Sequence, residues 1–229
     1  MFDSVHVIGA GRAGATIAAR LAERGVAVAI GRPPIPESDL VILAVPDSAI
    51  GDVAKEVERG RWVAHLSGAT PLDALLPHRR RFVVHPLQTL TRERGPEQLD
   101  GAWAAITADT KAGLARARWL AETLGLTPFE LADAERSLYH AGAVIGGNFL
   151  VTLHRVASRL LTETGAPPEA IVPLMTRTIE NGFDLTGPIA RGDWTTVEAH
   201  IAALEARAPD LVPLYRALAD ATRPAAERT

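Results

Sequence analysis

Apolar residues recur along this chain in two rhythms, and the change between them divides the sequence. Up to about residue 131, short apolar blocks alternate with stretches of helical periodicity. Residues 4–8 (Ser-Val-His-Val-Ile) read as a buried strand. Residues 12–24 read as a helix with Ala13, Ile17 and Leu21 on one stripe, closed by Gly25. Further strands are expected at 26–30, 40–45, 62–66, 81–85, 103–107 and 126–131. Helices are expected at 48–59, briefly at 71–76, and at 111–124. Strands alternating with helices imply an α/β domain on a doubly wound, mainly parallel sheet covered on both faces.

Beyond residue 132 the strand rhythm stops. Residues 134–164 carry helical periodicity, weakened at Gly142, Gly146 and Gly147. Pro167-Pro168 opens a helix running to about Asn181, Asp193 stands as the N-cap of another, and Pro209-Asp210 starts a last one. The tail 223–229 is expected to fray. The expected organisation is therefore a dinucleotide-binding domain over 1–131 and an all-α substrate and dimerisation domain over 132–229.

The pattern acquires chemistry at Gly9-Ala10-Gly11-Arg12-Ala13-Gly14. A G-x-G-x-x-G run alone is weak, but this one has an apolar strand before it, an amphipathic helix after it and a second strand beyond. In such a βαβ unit the first glycine makes the tight turn and the second admits a pyrophosphate. The third lets helix and strand pack closely, and the helix N-terminus faces the phosphates. A ligand-free glycine turn is the plain alternative. An acidic residue at the end of the second strand would hold the 2′-hydroxyl of NAD, but here Gly31 is followed by Arg32. A guanidinium suits a 2′-phosphate, so NADP is expected as cofactor, with NAD as the second choice. An ordinary surface arginine is the alternative for Arg32. Only eight residues, 32–39, three of them proline, join the second and third strands. This is short for a parallel crossover and leaves the adenine end more open than usual.

Strand endings in a doubly wound sheet face the ligand crevice. The third offers Val45 and Pro46 to the nicotinamide ribose side, with Asp47 read as a helix N-cap. The fourth ends in Ser67, a donor to substrate or carboxamide. The fifth ends in His85, read either as a general acid or orienting group, or as a ligand of loop backbone before Pro86. Nearby His78-Arg79-Arg80-Arg81 reads as a solvated charge run. In the helical half, Tyr139, His140, Val144 and Asn148 stand among small residues, with His140, Val144 and Asn148 on one helical face. That stripe reads either as a helix–helix contact or as a site for a substrate carbonyl held between His140 and Asn148, with Tyr139 expected to bind substrate beside them. Arg191, in the glycine-bounded loop 187–193, would grip a substrate carboxylate or else join an interhelical salt bridge.

Composition narrows the classes. The 229 residues hold no cysteine, which removes thiolate catalysis and Cys-type metal centres. The seven histidines are scattered rather than set at metal-ligand spacing. The net charge of −3 supplies no basic field for nucleic acid. With no apolar run long enough to span a bilayer and no charged leader, a cytoplasmic protein without membrane or nucleic-acid partners is expected. The basic residues are 22 arginines and only two lysines, Lys55 and Lys111, so most of the chain has no lysine to offer as an acid.

The segments 9–14, 45–50 (Val-Pro-Asp-Ser-Ala-Ile), 66–69 (Leu-Ser-Gly-Ala), 85–88 (His-Pro-Leu-Gln), 139–143 (Tyr-His-Ala-Gly-Ala) and 187–193 (Gly-Pro-Ile-Ala-Arg-Gly-Asp) occur in order. Together they resemble a bacterial family with a Rossmann-like NAD(P)-binding domain and a C-terminal helical domain of unknown function. That family lies in the 6-phosphogluconate dehydrogenase-like superfamily, and some members are ketopantoate reductase-like. The resemblance covers about residues 4–220. It implies an NAD(P)-dependent oxidoreductase and a homodimer through the helical half. Many superfamily dehydrogenases pair a helix lysine with an asparagine four residues later. Asn148 matches the asparagine, but Val144 stands at the lysine position, so His140, one turn earlier, is the substitute acid. The His85-Pro86 pair is also similar to the catalytic histidine of prephenate dehydrogenases. The expected activity is reduction of a small carbonyl, such as a 2-keto acid of the ketopantoate type. The alternatives are an imine reductase, a prephenate-type dehydrogenase, or a non-catalytic dinucleotide sensor or assembly protein.

Overall fold

A computed structural model describes residues 2–32 and 37–226, the last three by backbone alone. Two compact units divide the chain, residues 1–152 and 153–229.

The first unit is built on seven strands in the order β2-β1-β3-β4-β5-β6-β7. They are β1 (Ser4–Ile8), β2 (Ala27–Ile30), β3 (Leu40–Leu43), β4 (Trp62–His65), β5 (Arg81–Leu87), β6 (Trp103–Thr107) and β7 (Thr127–Glu130). The first five run parallel. β6 pairs antiparallel with β5, and β7 then runs parallel with β6. The fold is α/β with a mainly parallel, doubly wound sheet. β3 shows why: all four of its residues, Leu-Val-Ile-Leu, are buried, as expected of a strand covered on both faces. Leu40 and Ile42 join one core cluster with Ile17, Leu21, Phe82 and Leu120; Val41 and Leu43 join the other with Ile50, Leu75 and Val83.

Helix α1 (Arg12–Glu23) buries Ile17 and Leu21 completely, each contributing about 1.5–3 kcal/mol. Helix α3 (Lys111–Thr123) packs on the same cluster through Ala117, Leu120 and Ala121. The opposite face is covered by α2 (Ile50–Glu56). The long helix expected over 48–59 is thus only a single turn at 47–49 followed by α2. Val57 turns extended, and Gly60 takes a φ of +94°. The strand expected to reach Val45 ends at Leu43, where the chain turns beside the glycine loop. β2 and β3 flank β1 and both pair parallel with it, joined by a short connection. Its residues 33–36, three of them the expected prolines, lie outside the described residues.

The strands end at Glu130, close to the expected boundary, yet the first compact unit extends to residue 152. The reason is α4 (Arg136–Val144). Its Arg136 side chain donates to the Ser67 and Thr70 carbonyls of the turn after β4, and Tyr139 reaches His85. After α4 comes a π-helical turn (Ile145–Phe149) and then α5 (Leu150–Glu163), within which the second unit begins.

The second unit contains α6 (Ile171–Glu180), α7 (Trp194–Arg207) and α8 (Val212–Ala226). Among the described residues it holds no strand. Asp193 caps α7, accepting the Thr196 N–H at 3.1 Å. Arg159 on α5 binds Asp210 with both terminal nitrogens, and Arg207 donates to the Glu163 carbonyl. α8 continues through Ala226, so the chain does not fray at 223 as expected; residues 227–229 lie outside the described residues. No helix among the described residues is long and apolar enough to cross a membrane.

Candidate active site

Sheet register brings the chemistry to one edge. Ile8, Leu43, His65 and Val83 are successive register partners across β1, β3, β4 and β5. Two residues further along come Ala10, Val45, Ser67 and His85. With parallel neighbours about 4.8 Å apart, this rank carries the rim from the glycine loop to His85 by way of β3 and β4. The order reverses between β1 and β3, which is where a doubly wound sheet opens its ligand crevice.

The three glycines of the loop have different tasks. Gly9 has a φ of +113°, and a Cβ on it would collide with the Ala44 carbonyl. A Cβ on Gly14 would collide with the carbonyl of Gly9. At Gly11 nothing lies within 4 Å of the position a Cβ would take. Gly11 therefore leaves open space, while Gly9 and Gly14 hold the turn shut behind it. The loop ends at the first turn of α1, where the N–H groups of Arg12, Ala13 and Gly14 have no partner within the helix. A cavity of about 540 Å³ lies here, lined by Gly9, Gly11, Arg32, Val45, Pro46 and neighbours. Arg32 is exposed on its margin. The buried His6 of β1 sets the base for it, its Nε2 lying 3.3 Å from the Gly31 carbonyl. These features fit a dinucleotide: an open backbone at Gly11, free N–H groups, and a cation at the end of β2.

At the other end of the rank, a cavity of about 680 Å³ is lined by His85, Gln88, Tyr139, His140, Val144, Asn148 and the glycines near them. The Tyr139 hydroxyl and His85 Nδ1 share a hydrogen bond of 2.7 Å. The rings of His85 and His140 stand 6.1 Å apart, edge to face. Asn148 joins them through the π-helical turn. Its wider i→i+5 spacing slows the rotation of successive side chains, so Val144, Gly147 and Asn148 all reach the same cavity. Gly146 and Gly147 leave open space where a Cβ would stand. Among the described residues lining this cavity there is no lysine or arginine.

Electrostatics set the protonation states. Burial first, then His140 and the Arg136 guanidinium, push the His85 imidazole down to about 4, against an upward pull from Asp47. Burial pushes the Tyr139 phenol up to about 12, although Arg136 pulls the other way. Around neutral pH, His85 is therefore neutral and Tyr139 keeps its proton. His65, sealed from solvent in β4, is likewise pushed down to about 4 by burial and then by Arg136.

Several expected roles change. Ser67 donates its hydroxyl proton to Asp47 Oδ2 at 2.6 Å and accepts the N–H groups of Ala69 and Thr70. Its hydroxyl is thus committed to the turn rather than to a substrate. Asp47 makes no cap hydrogen bond to its own helical turn and serves Ser67 instead. The run 78–81 is not uniformly solvated. His78 is buried with its Nε2 2.8 Å from the Ala54 carbonyl, and the buried Arg81 pairs with Asp73 and Asp109, while Arg79 and Arg80 are exposed. Arg191 lies exposed in the second unit, its guanidinium without salt bridge or hydrogen bond among the described residues.

Two participants received no role from the sequence, although one of them, Gly68, lies in the 66–69 segment. Arg136 is only 1% exposed. Gly68 is pressed so closely that an added Cβ would stand 2.6 Å from His140 Cδ2 and 2.9 Å from His85 Cε1 and Nε2. An arginine at a helix start is not unusual enough to stand out in one sequence, and the 66–69 segment marks Gly68 without telling what packs against it.

The model of the family described as "Domain of unknown function (DUF2520)" matches residues 102–222, over half of the chain. The chain belongs to this family. No curated protein matches it. Among solved structures, it is similar to a protein of Bacteroides fragilis named as a candidate NADP oxidoreductase. That match has 21% identity and a TM-score of 0.82, covering 96% of this chain and 98% of that one. A Thermotoga maritima protein is similar at 23% identity and a TM-score of 0.79, with 98% of each chain covered. The 1-pyrroline-5-carboxylate reductase of Streptococcus pyogenes is similar at 15% identity and a TM-score of 0.64, covering 99% of this chain and 98% of that one. At these identities the likeness is one of fold: a Rossmann-type sheet followed by helices.

Proposed function

We propose that the chain is an NAD(P)H-dependent oxidoreductase that reduces a small carbonyl compound. The observation that carries this reading is the rank along the sheet rim. It runs from a glycine loop with open backbone at Gly11 to a neutral His85 backed by Tyr139. The oxidoreductase names of similar folds, including the Bacteroides fragilis protein and the Streptococcus pyogenes reductase, point the same way.

Gly9, Gly11 and Gly14 would shape the pyrophosphate turn, with the N–H groups of Arg12 and Ala13 as donors. Val45 and Pro46 would line the ribose, and Arg32 would pair with a 2′-phosphate, which favours NADP over NAD. When bound, the cofactor supplies the hydride. The chain supplies the proton. Tyr139 donates to His85 Nδ1, so Nε2 carries the imidazole proton and hydrogen-bonds the substrate carbonyl oxygen. As that oxygen gains charge, it takes the Nε2 proton and Nδ1 recovers one from Tyr139. His140 is the alternative donor, and the Asn148 amide orients the carbonyl. This use of a neutral imidazole needs no lysine at position 144.

A 2-keto acid of the ketopantoate type is the proposed substrate, resting on the resemblance of the sequence motifs. The helical second unit is read as a homodimerisation surface because Val172, Leu174 and Ile179 on α6 are largely exposed. The deciding experiment follows NADPH oxidation with a panel of 2-keto acids, with pyrroline-5-carboxylate as comparison. Turnover of a keto acid, diminished in His85→Gln, is the expected result. NADPH binding without turnover of any carbonyl would refute the enzymatic reading. Sedimentation at several concentrations tests the dimer, and a monomer throughout would refute it.

A further inference from the structure

We propose that Arg136 is the positioning residue of this site, fastening the turn after β4 to α4 so that His85, Tyr139 and His140 are held in one arrangement. The proposal rests on the carbonyl-reductase reading for its catalytic consequence, but on contacts alone for its geometry. Arg136 Nε donates to the Thr70 carbonyl at 2.9 Å, and Nη2 donates to the Ser67 carbonyl at 3.0 Å. The same turn is closed from inside by Ser67 Oγ, which accepts the N–H groups of Ala69 and Thr70 while donating to Asp47. Asp133 extends the fastening. It lies 3.6 Å from Arg136 Nε and accepts the Leu72 N–H at 2.9 Å. The turn thus clamped contains Gly68, and Gly68 is what both imidazoles rest against. Arg136 begins the helix that carries Tyr139 and His140, so one side chain sets the distance between the wall and the groups that lean on it.

A guanidinium that is 1% exposed needs a reason. A buried cation is costly unless its donors are used, and here Nη1 has no partner among the described residues. Its charge has a use. It faces His85 from α4, together with His140 and Tyr139, while Asp47 faces it from beyond β3. The cation and His140 disfavour imidazolium, Asp47 favours it, and burial leaves His85 neutral. Arg136 therefore holds the turn on which His85 leans and adds to the burial that keeps the imidazole neutral.

The test uses full-length protein with ¹⁵N-labelled histidine, His85 being assigned through His85→Gln. Arg136→Gln removes the fork and the charge; Arg136→Lys keeps the charge and loses the fork. In Arg136→Gln, His85 is expected to titrate at a higher pH, because one of the charges that disfavours imidazolium is gone. In Arg136→Lys its titration stays low, but its ring shifts report a changed environment. In both, kcat falls about 10–100-fold while NADPH affinity stays within about twofold, because the glycine loop is untouched. Unchanged ring shifts and titration of His85 in both variants would overturn the proposal. So would a loss of NADPH affinity as large as the loss of kcat. If wild-type protein reduces no carbonyl, the functional reading fails, while the ring measurements still decide the role of Arg136. Should Arg136→Gln not fold, Arg136→Lys alone carries the shift and affinity measurements.

Discussion

Gly68→Ala is the sharpest perturbation of the site, because it adds one methyl group where two imidazoles already touch. The new Cβ would stand 2.6 Å from His140 Cδ2 and 2.9 Å from His85 Cε1 and Nε2. Carbon atoms rest comfortably at about 3.5–4.0 Å, so both rings must withdraw by roughly an ångström. His85 has little freedom to do so, being tied to Tyr139 at 2.7 Å. Gly68 does not occupy the left-handed region, so alanine brings no backbone strain and the cost is one of crowding. Overpacking of this kind costs about 1–3 kcal/mol of stability. A displacement of about 1 Å at a reacting group costs on the order of 100-fold in rate. The assay is NADPH oxidation with the best carbonyl substrate, beside fluorescence titration of NADPH and thermal unfolding. The expected variant is folded, binds NADPH with wild-type affinity and turns over about two orders of magnitude more slowly. Wild-type kcat in folded Gly68→Ala would refute the placement of His85 and His140 at the reacting centre.

Tyr139→Phe removes the hydroxyl behind His85 while keeping the ring that packs on Phe129. It is expected to lower kcat by about 10²–10⁴-fold with little change in NADPH affinity, read by the same steady-state and binding measurements. Arg32→Ala should weaken NADPH by the equivalent of about 1.5–3 kcal/mol and leave NADH unaffected, measured by direct titration of both. Folding stability should rise with pH between about 4 and 6.5. His65 and His85 have folded values pushed down to about 4 against about 6.5 unfolded, so the unfolded state holds more protons in that window. Each contributes on the order of 3 kcal/mol as an upper limit, lost as pH falls from 6.5 toward 4. Urea unfolding across that range checks it, and a flat profile would contradict the burial of neutral histidines.

The strands were legible because their residues obey one rule throughout. Leu40–Leu43 is apolar at every position, so its burial on both faces can be read without knowing its neighbours. The glycine loop was legible for a similar reason: its spacing is local, and the collisions at Gly9 and Gly14 with nearby backbone are why glycine is needed there. What resisted reading was long-range. Ser67 looked available until Asp47, twenty positions earlier, took its proton. His78 looked solvated because three arginines follow it, yet the Ala54 carbonyl draws it inside. An α-helical count sets Asn148 on the face of His140, but the π-helical turn, which no local preference announces, also helps bring it to the cavity.

Val144 then acquires a physical meaning. A lysine acid at that position would bring its own charge into a cavity whose described lining has no lysine or arginine. Instead, the guanidinium that acts on His85 is that of Arg136, buried and bound to backbone carbonyls. There it cannot give up a proton, because a guanidinium keeps its charge in proteins. It can only bias the groups around it. A fixed charge of this kind suppresses imidazolium at His85 and favours ionisation of Tyr139, and these two effects pull in useful directions for a relay from phenol to imidazole to substrate oxygen. The phenol gives up its proton most readily where a cation stands by to stabilise the phenolate, and the imidazole passes on its Nε2 proton only if Nδ1 is ready to accept another. If the chain reduces a carbonyl as proposed, the lysine's work would be divided in two: Arg136 would hold the charge, and the Tyr139–His85 pair would move the proton.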